Sequence, residues 1–240
     1  MTNLIAAVRS VLTYIVVSLY VLIAGPIALA LGVGLKNKTA LYVPGHLGVG
    51  LALGLAGIRY RVQHRERIPR HRAVVFCSNH ESNVDPPVLF QALHKRLHVL
   101  FKAELQKLPV LGAVMVAGGF VPVERDRREA SMASIDRAAE SIRAGNSFLI
   151  FPEGTRSRTA ELLPFKKGGF IMAIKAQAPI VPVAVSGGRA AMRKGSWFVR
   201  PVMVDVKIGD PVETKGMTLD DRDRLIEIVR TRIEELRHNT

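Results

Sequence analysis

Twenty-five consecutive residues, Val11 to Leu35, carry no charge. As a helix rising about 1.5 Å per residue, such a run can cross a hydrocarbon core of about 30 Å. Pro26 predicts a kink within it. After Lys36-Asn37-Lys38 a second uncharged run extends from Thr39 to Ile58. It is weaker, holding Pro44, His46 and glycines at 45, 48, 50, 54 and 57. Three readings compete. A secretory signal peptide would use Arg9 as its basic region and Ala28-Leu29-Ala30 before the cut. The run exceeds the roughly 7–15 residues of such a segment. Two spanning helices with a cytoplasmic main domain would put Lys36 and Lys38 outside, against the positive-inside bias. A helical hairpin that dips into one leaflet has no such conflict and is favoured.

Charge divides the chain in the same place. Overall 34 Lys+Arg face 20 Asp+Glu, a net +14, yet 48% of the residues are hydrophobic. Residues 1–58 hold only Arg9, Lys36 and Lys38 and no acid. The expected organisation is a membrane-associated hairpin over 1–58 and one domain over 59–240. A disordered basic tail is excluded by the apolar content. The single Cys77 excludes an internal disulfide and fits a reducing compartment.

Residues 59–72 carry six arginines and one acid, Glu66. They read either as a solvated strand and turn or as a contact with anionic lipid headgroups. No helix-turn-helix, zinc-finger or RNA-binding signature accompanies them, so no nucleic acid is expected. From residue 73 onward short β-rich runs alternate with helical patterns. Strands are expected at 73–77, 97–101, 119–123, 147–151, 180–186 and 202–208. Helices are expected from Pro86 to Leu93 and from Lys167 to Gln177. A further helix follows an Asp126-x-x-Glu129 capping box, carries Met132, Ile135, Ala139 and Ile142 on one face, and stops at Gly145. A last helix, capped by Thr218-x-x-Asp221, turns Leu225, Val229, Ile233 and Leu236 inward. The fold class is α/β: a mixed, mostly buried sheet flanked by helices, preceded by the apolar hairpin.

Of seven histidines one has a suggestive setting, Asn79-His80-Glu81-Ser82-Asn83-Val84-Asp85-Pro86-Pro87. It follows an apolar strand, at the C-terminal edge where α/β sites gather. Five helical residues turn about 500°, so His80 and Asp85 meet only through a loop. The prolines permit one by keeping Asp85 out of helical geometry. The pair suits general-base chemistry, with imidazole taking a proton and the carboxylate fixing its tautomer. The plainer alternative makes Asp85 a helix cap and His80 an ordinary loop residue. No GxSxG elbow is present, and Cys77 sits in an apolar strand without a cationic neighbour in sequence. A histidine base without a protein nucleophile suggests that the substrate supplies the attacking group. No second histidine stands at ligand spacing, so no metal is expected.

A second loop, Phe151-Pro152-Glu153-Gly154-Thr155-Arg156-Ser157, follows the SFLIF run. Gly154 allows positive φ or close approach. Thr155 and Ser157 offer hydroxyls. Arg156 suits bidentate phosphate contact, and Glu153 would hold it or meet a ligand hydroxyl. Lys166-Lys167-Gly168-Gly169 lies close behind. A phosphorylated ligand competes here with a tight surface turn. GxxxxGK[ST] is absent, so ATP is not expected.

At these motifs the sequence resembles the 1-acyl-sn-glycerol-3-phosphate (lysophosphatidate) acyltransferases. Asn79-His80 through Asp85 is similar to their NHx4D motif, Phe151–Ser157 reads FPEGTRS, and Gly119–Arg125 and Ile180–Val183 are similar to two further blocks. An FKAEL block stands at Phe101–Leu105. The resemblance implies direct acyl transfer from an acyl-CoA or acyl-carrier-protein thioester to the 2-hydroxyl of lysophosphatidate, giving phosphatidic acid with no cofactor and no acyl-enzyme. It implies His80 as base, Asp85 as its orienter, Arg125, Glu153, Gly154, Thr155 and Arg156 around the glycerol phosphate, and Lys102 as a further phosphate contact. It also implies an apolar channel for the acyl chain. The expected location is the membrane, with the catalytic domain on the cytoplasmic face. Acylation of glycerol 3-phosphate or another lysophospholipid is the alternative within the class, and a noncatalytic anionic-lipid binder the alternative outside it.

Overall fold

Both uncharged runs are helical in the computed structural model, which describes residues 2–124, 128–159 and 161–238. Helix α1 (Thr2–Gly34) begins well ahead of the uncharged run and continues through Pro26. Helix α2 (Thr39–Ala56) returns against it and closes at Gly57, whose φ of 70° is the left-handed helix stop glycine favours. Both are long and apolar enough to cross a membrane. Most of α1 is nonetheless tied to the rest of the chain. Ser10 accepts a hydrogen bond from Val199 N (2.7 Å), and Val110 packs against Gly25.

The remainder alternates as expected: β1 (Ile58–Gln63), β2 (Val75–Ser78), α3 (Asp85–Ala92), β3 (Leu97–Lys102), α4 (Leu111–Ala117), β4 (Val121–Val123), α5 (Arg128–Arg143), β5 (Ser147–Ile150), α6 (Gly168–Ala176), β6 (Ile180–Ser186), α7 (Gly188–Ala191), β7 (Val202–Ile208) and α8 (Arg222–His238). Seven strands form one mixed sheet in the order β1-β7-β6-β2-β5-β3-β4. All neighbours are parallel except β6 and β7, which run antiparallel, with Val185 opposite Val206.

Strand alternation sorts the core into two layers. Val74 and Phe76 face α2 and α3, packing with Leu53, Ala56, Val88 and Leu89. Val75 and Cys77 face α5, α6 and α8, among Ala138, Phe170, Leu225 and Val229. Each Val, Leu or Phe side chain among them, once buried, stabilises by about 1.5–3 kcal/mol. The hairpin therefore shares a core with the sheet. In α8, Leu225, Val229 and Ile233 are buried and Leu236 is half-buried. The Thr218 capping box forms ahead of it, with both reciprocal hydrogen bonds present. The other expected box begins at Asp126, outside the described residues.

Two features depart from the sequence reading, and a third decides between its alternatives. The 119–123 run contracts to Val121–Val123, because Gly119 adopts φ 95° with the His98 ring packed against its α-carbon. Helix α4, all apolar and without a side-chain cap, was not expected. The basic band opens with a full strand, and three of its arginines are committed to acids: Arg61 to Asp205 (2.9 Å), Arg67 to Asp210 (3.3 Å) and Arg72 to Glu213. These pairs tie β1 and the turn after it to β7 and the segment behind it.

Candidate active site

Strands β2, β3, β4, β5 and β6 end at the same edge of the sheet, and the described candidate residues stand at or after one of those ends. Beyond β2 the chain makes a loop whose polar groups are mostly paired, Asp85 Oδ1 being buried without a partner among the described residues. Asn79 donates to Val185 O (2.8 Å) and accepts from Val185 N (2.7 Å), pinning the loop to β6. His80 Nδ1 donates to Asp85 Oδ2 (3.0 Å). The same oxygen accepts from the backbone N–H groups of Glu81 (2.6 Å) and Ser82 (2.7 Å). Asp85 is fully buried at the first turn of α3, held there by the two prolines behind it. Asp85 is therefore inside the helix, not kept out of it by the prolines, and it caps nothing: the N-cap is Val84, without a side-chain hydrogen bond, so the pairing with His80 replaces the helix-cap reading.

The His80 ring stacks on Phe151, with centroids 4.2 Å apart. Its Nδ1 is occupied, so Nε2 is the nitrogen left to act, and His80 lines a cavity of about 830 Å³. The cavity runs between the hairpin and the sheet edge. Its walls include Val17, Val21 and Ala24 of α1 and Val49 of α2, together with Phe90 and the side chains of Lys102, Arg156 and Lys166. A mostly apolar cleft of this size with few charged groups is the usual form of a small-molecule site.

The loop after β5 supplies the cationic wall. Gly154 takes φ +66°, and the stem of Lys166 lies against its α-carbon, where any side chain would collide. Lys194 Nζ donates to Thr155 Oγ1 and to the Arg156 carbonyl, both at 3.0 Å. Arg156 Nη1 is buried without a hydrogen-bond partner among the described residues. An unpaired buried N–H costs about 1–3 kcal/mol, more when charged, and an anion between Arg156 and Lys166 would relieve it. Lys102 pairs with Glu104 (2.9 Å) at the rim. Arg125 lies outside the described residues.

Glu153 does not hold Arg156. Its two oxygens accept from His80 N (2.8 Å) and Leu163 N (2.9 Å), clamping the two loops together from behind. Burial pushes its carboxyl above the ordinary range. Glu81, beside Arg237 (3.7 Å), is raised by burial and by the Asp85 charge. Cys77 is buried and its thiol is pushed up by burial, which removes it as a nucleophile.

Comparison with known proteins agrees with this geometry. The model of the Acyltransferase family matches residues 59–186, more than half of the chain. This chain belongs to the acyltransferase family. Among its relatives, the 1-acyl-sn-glycerol-3-phosphate acyltransferase of Limnanthes douglasii is 33% identical over 186 residues, 77% of this chain and 66% of the relative. The human 1-acyl-sn-glycerol-3-phosphate acyltransferase beta is 34% identical over 172 residues, 71% of this chain and 62% of the relative. The chain thus spans slightly under two thirds of these relatives' own length. The fold is shared with the crystal structure of the 1-acyl-sn-glycerophosphate acyltransferase of Thermotoga maritima. That match has a TM-score of 0.84 at 24% identity, covering 100% of this chain and 99% of that one.

Two residues of this family member's site escaped the sequence reading. Lys166 lines the cavity, although only its sequence proximity to the FPEGTRS loop pointed to it. Gly188, opening α7, sits so close to Asp85 that a Cβ there would fall 2.3 Å from Oδ1. The Gly187-Gly188 pair directly after a strand was the available signal for such an approach.

Proposed function

We propose that this protein transfers a fatty acyl group from a coenzyme A or acyl-carrier-protein thioester to the 2-hydroxyl of 1-acyl-glycerol-3-phosphate, giving phosphatidic acid. The observation that carries the proposal is the position of His80. Its free nitrogen belongs to a cavity lined both by the apolar hairpin and by three cations. A substrate with a fatty chain and a phosphate matches such a wall.

In this reading His80 Nε2 removes the proton of the 2-hydroxyl as its oxygen attacks the thioester carbonyl. The tetrahedral intermediate collapses by breaking the C–S bond, and His80 returns the proton to the departing thiolate. Asp85 holds the imidazole so that Nε2 is the unprotonated nitrogen, and it stabilises the imidazolium between the two steps. Arg156, Lys166 and Lys102 bind the phosphate, with Arg125 as the further contact that the resemblance implies. Glu153 acts through its clamp on the His80 backbone. No cofactor enters, since the thioester supplies both the acyl group and the driving force. The hairpin holds the enzyme in one leaflet of the membrane, with the α/β domain on the cytoplasmic face.

The test is thiol release with one acyl-CoA against three acceptors: lysophosphatidate, glycerol 3-phosphate and a lysophospholipid without a terminal phosphate. Turnover is expected to be highest with lysophosphatidate. A preference for glycerol 3-phosphate reassigns the acceptor, and no turnover with any acyl thioester removes the enzymatic reading.

A further inference from the structure

The chain's single tryptophan lies outside the cavity. Trp197 is 50% exposed, stacked on Phe198 with centroids 4.1 Å apart, and Arg200 stands 6.0 Å from the Phe198 ring. The loop that carries it is fastened to α1. Tyr14 Oη donates to Trp197 O (2.7 Å), and Val199 N donates to Ser10 Oγ (2.7 Å). At the same level of α1, Val11, Leu12 and Ile15 are exposed. Directly beside the loop is a cleft of about 550 Å³ bounded by Arg9, Gly57, Arg59 and Pro201. Unlike Arg61, Arg67 and Arg72, Arg59 is paired with no acid among the described residues.

We propose that the loop 193–201 is a second membrane contact, with Trp197 seated at the headgroup level and the Arg9–Arg59 cleft taking the phosphate of an anionic lipid. It rests on the reading of the hairpin as membrane-embedded. Three physical points converge on it. Tryptophan and tyrosine concentrate at the membrane–water interface, where an apolar ring body and a polar edge are both accommodated. Cations at that depth are drawn to anionic headgroups. The hydrogen bonds to Ser10 and Tyr14 give the loop a fixed height on α1, so one end of the hairpin is held at the surface while the cavity mouth stays beside the lipid from which the acceptor comes. The bland alternative for Arg9 is that it covers the carbonyl end of α2 at Gly57, which leaves the exposed Trp197 without an explanation.

Because Trp197 is the only tryptophan, its emission reports on this loop alone. The full chain is reconstituted into phosphatidylcholine vesicles with or without phosphatidylglycerol, and with acyl chains brominated near the headgroup or near the tail. Flotation measures binding independently. A blue-shifted emission is expected, quenched more by shallow than by deep bromine and less by aqueous acrylamide. An Arg59→Gln variant is expected to lose about fivefold of the preference for phosphatidylglycerol vesicles. If the protein floats but Trp197 keeps an aqueous emission and no bromolipid quenches it, the loop contact is overturned and the embedded hairpin stands. Shielding from acrylamide without bromolipid quenching points to a protein partner and overturns it too. Equal affinity of the wild type for both vesicle types removes the phosphate cleft, and failure to float removes the hairpin reading along with the loop.

Discussion

The two loops that meet at the cavity differ in which polar group is left unmet: an acceptor, Asp85 Oδ1, in one and a donor, Arg156 Nη1, in the other. In the loop after β2, one oxygen of Asp85 gathers three donors and Asn79 exchanges two hydrogen bonds with β6. In the loop after β5, the backbone is held by Lys194 and by the Glu153 clamp, yet a guanidinium N–H of Arg156 is buried without a partner among the described residues. The first loop holds its His80–Asp85 pair without ligand, as a proton-transfer device must if its geometry is to be ready, and its buried atom without a partner among the described residues is an acceptor, Asp85 Oδ1. The second is complete except where a charged ligand would sit. Pre-organisation and unmet demand thus lie side by side and assign different work to the two loops.

The contrast is broken most severely at the base itself. His80→Ala is expected to lower kcat by about 10²–10⁴-fold, with circular dichroism and melting temperature retained. Asp85→Asn is expected to cost about hundredfold or more in kcat, because an amide oxygen no longer stabilises the imidazolium and the tautomer preference is lost. Gly188→Ala should approach that loss without touching the substrate, since its Cβ would displace Asp85; a pH–rate profile that shifts along with kcat marks this as an effect on His80.

In the other loop the effect should fall on binding. Arg156→Ala is expected to raise KM for lysophosphatidate about 10–100-fold, the equivalent of the roughly 1.5–3 kcal/mol of a charged hydrogen bond, with little change toward an acceptor lacking the phosphate. Equal losses for both acceptors would assign Arg156 to the framework instead. Glu153→Gln connects the loops. One of its two backbone donors would face an amide NH₂, so a destabilisation of about 1–3 kcal/mol is expected in thermal melts.

A last effect, on stability and not on turnover, lies away from both loops. Burial, assisted by the charges of Lys38 and His94, pushes His98 down to about 4. An unfolded chain protonates this residue below its ordinary value near 6.5, and the folded chain does not until about 4. Its contribution to stability is therefore present above about 6.5 and is lost as the pH falls toward 4. The difference between wild-type and His98→Gln denaturation curves across that window isolates it.

Much of this arrangement was legible in the sequence, and what was missed has physical causes. Strands β6 and β7 coincide with the expected runs, and β2, β3 and β5 fall within two residues of theirs, because buried parallel strands are continuous apolar blocks bounded by polar residues. Strand β1 was one of two readings of the basic band, because Arg59 and Arg61 alternate with Tyr60 and Val62 at an edge, where composition announces charge more loudly than pairing. Helix α4 has no polar face and hence no helical period to read. Sheet order is carried by long-range pairing, so the antiparallel insertion of β7 between β1 and β6 left no local mark. At the site, His80, Asp85 and Arg156 announced themselves by motif and spacing. The clamp made by Glu153 and the contact of Gly188 with Asp85 exist only once β5 and β6 flank β2.

The most direct test follows a labelled acyl group from its thioester to the product. Wild-type protein given labelled acyl-CoA and lysophosphatidate is expected to place the label in phosphatidic acid, with no label retained on the protein after denaturation, and His80→Ala is expected to lose the transfer. Label held covalently by the protein, or phosphatidic acid formed at the wild-type rate by His80→Ala, would contradict direct transfer promoted by His80.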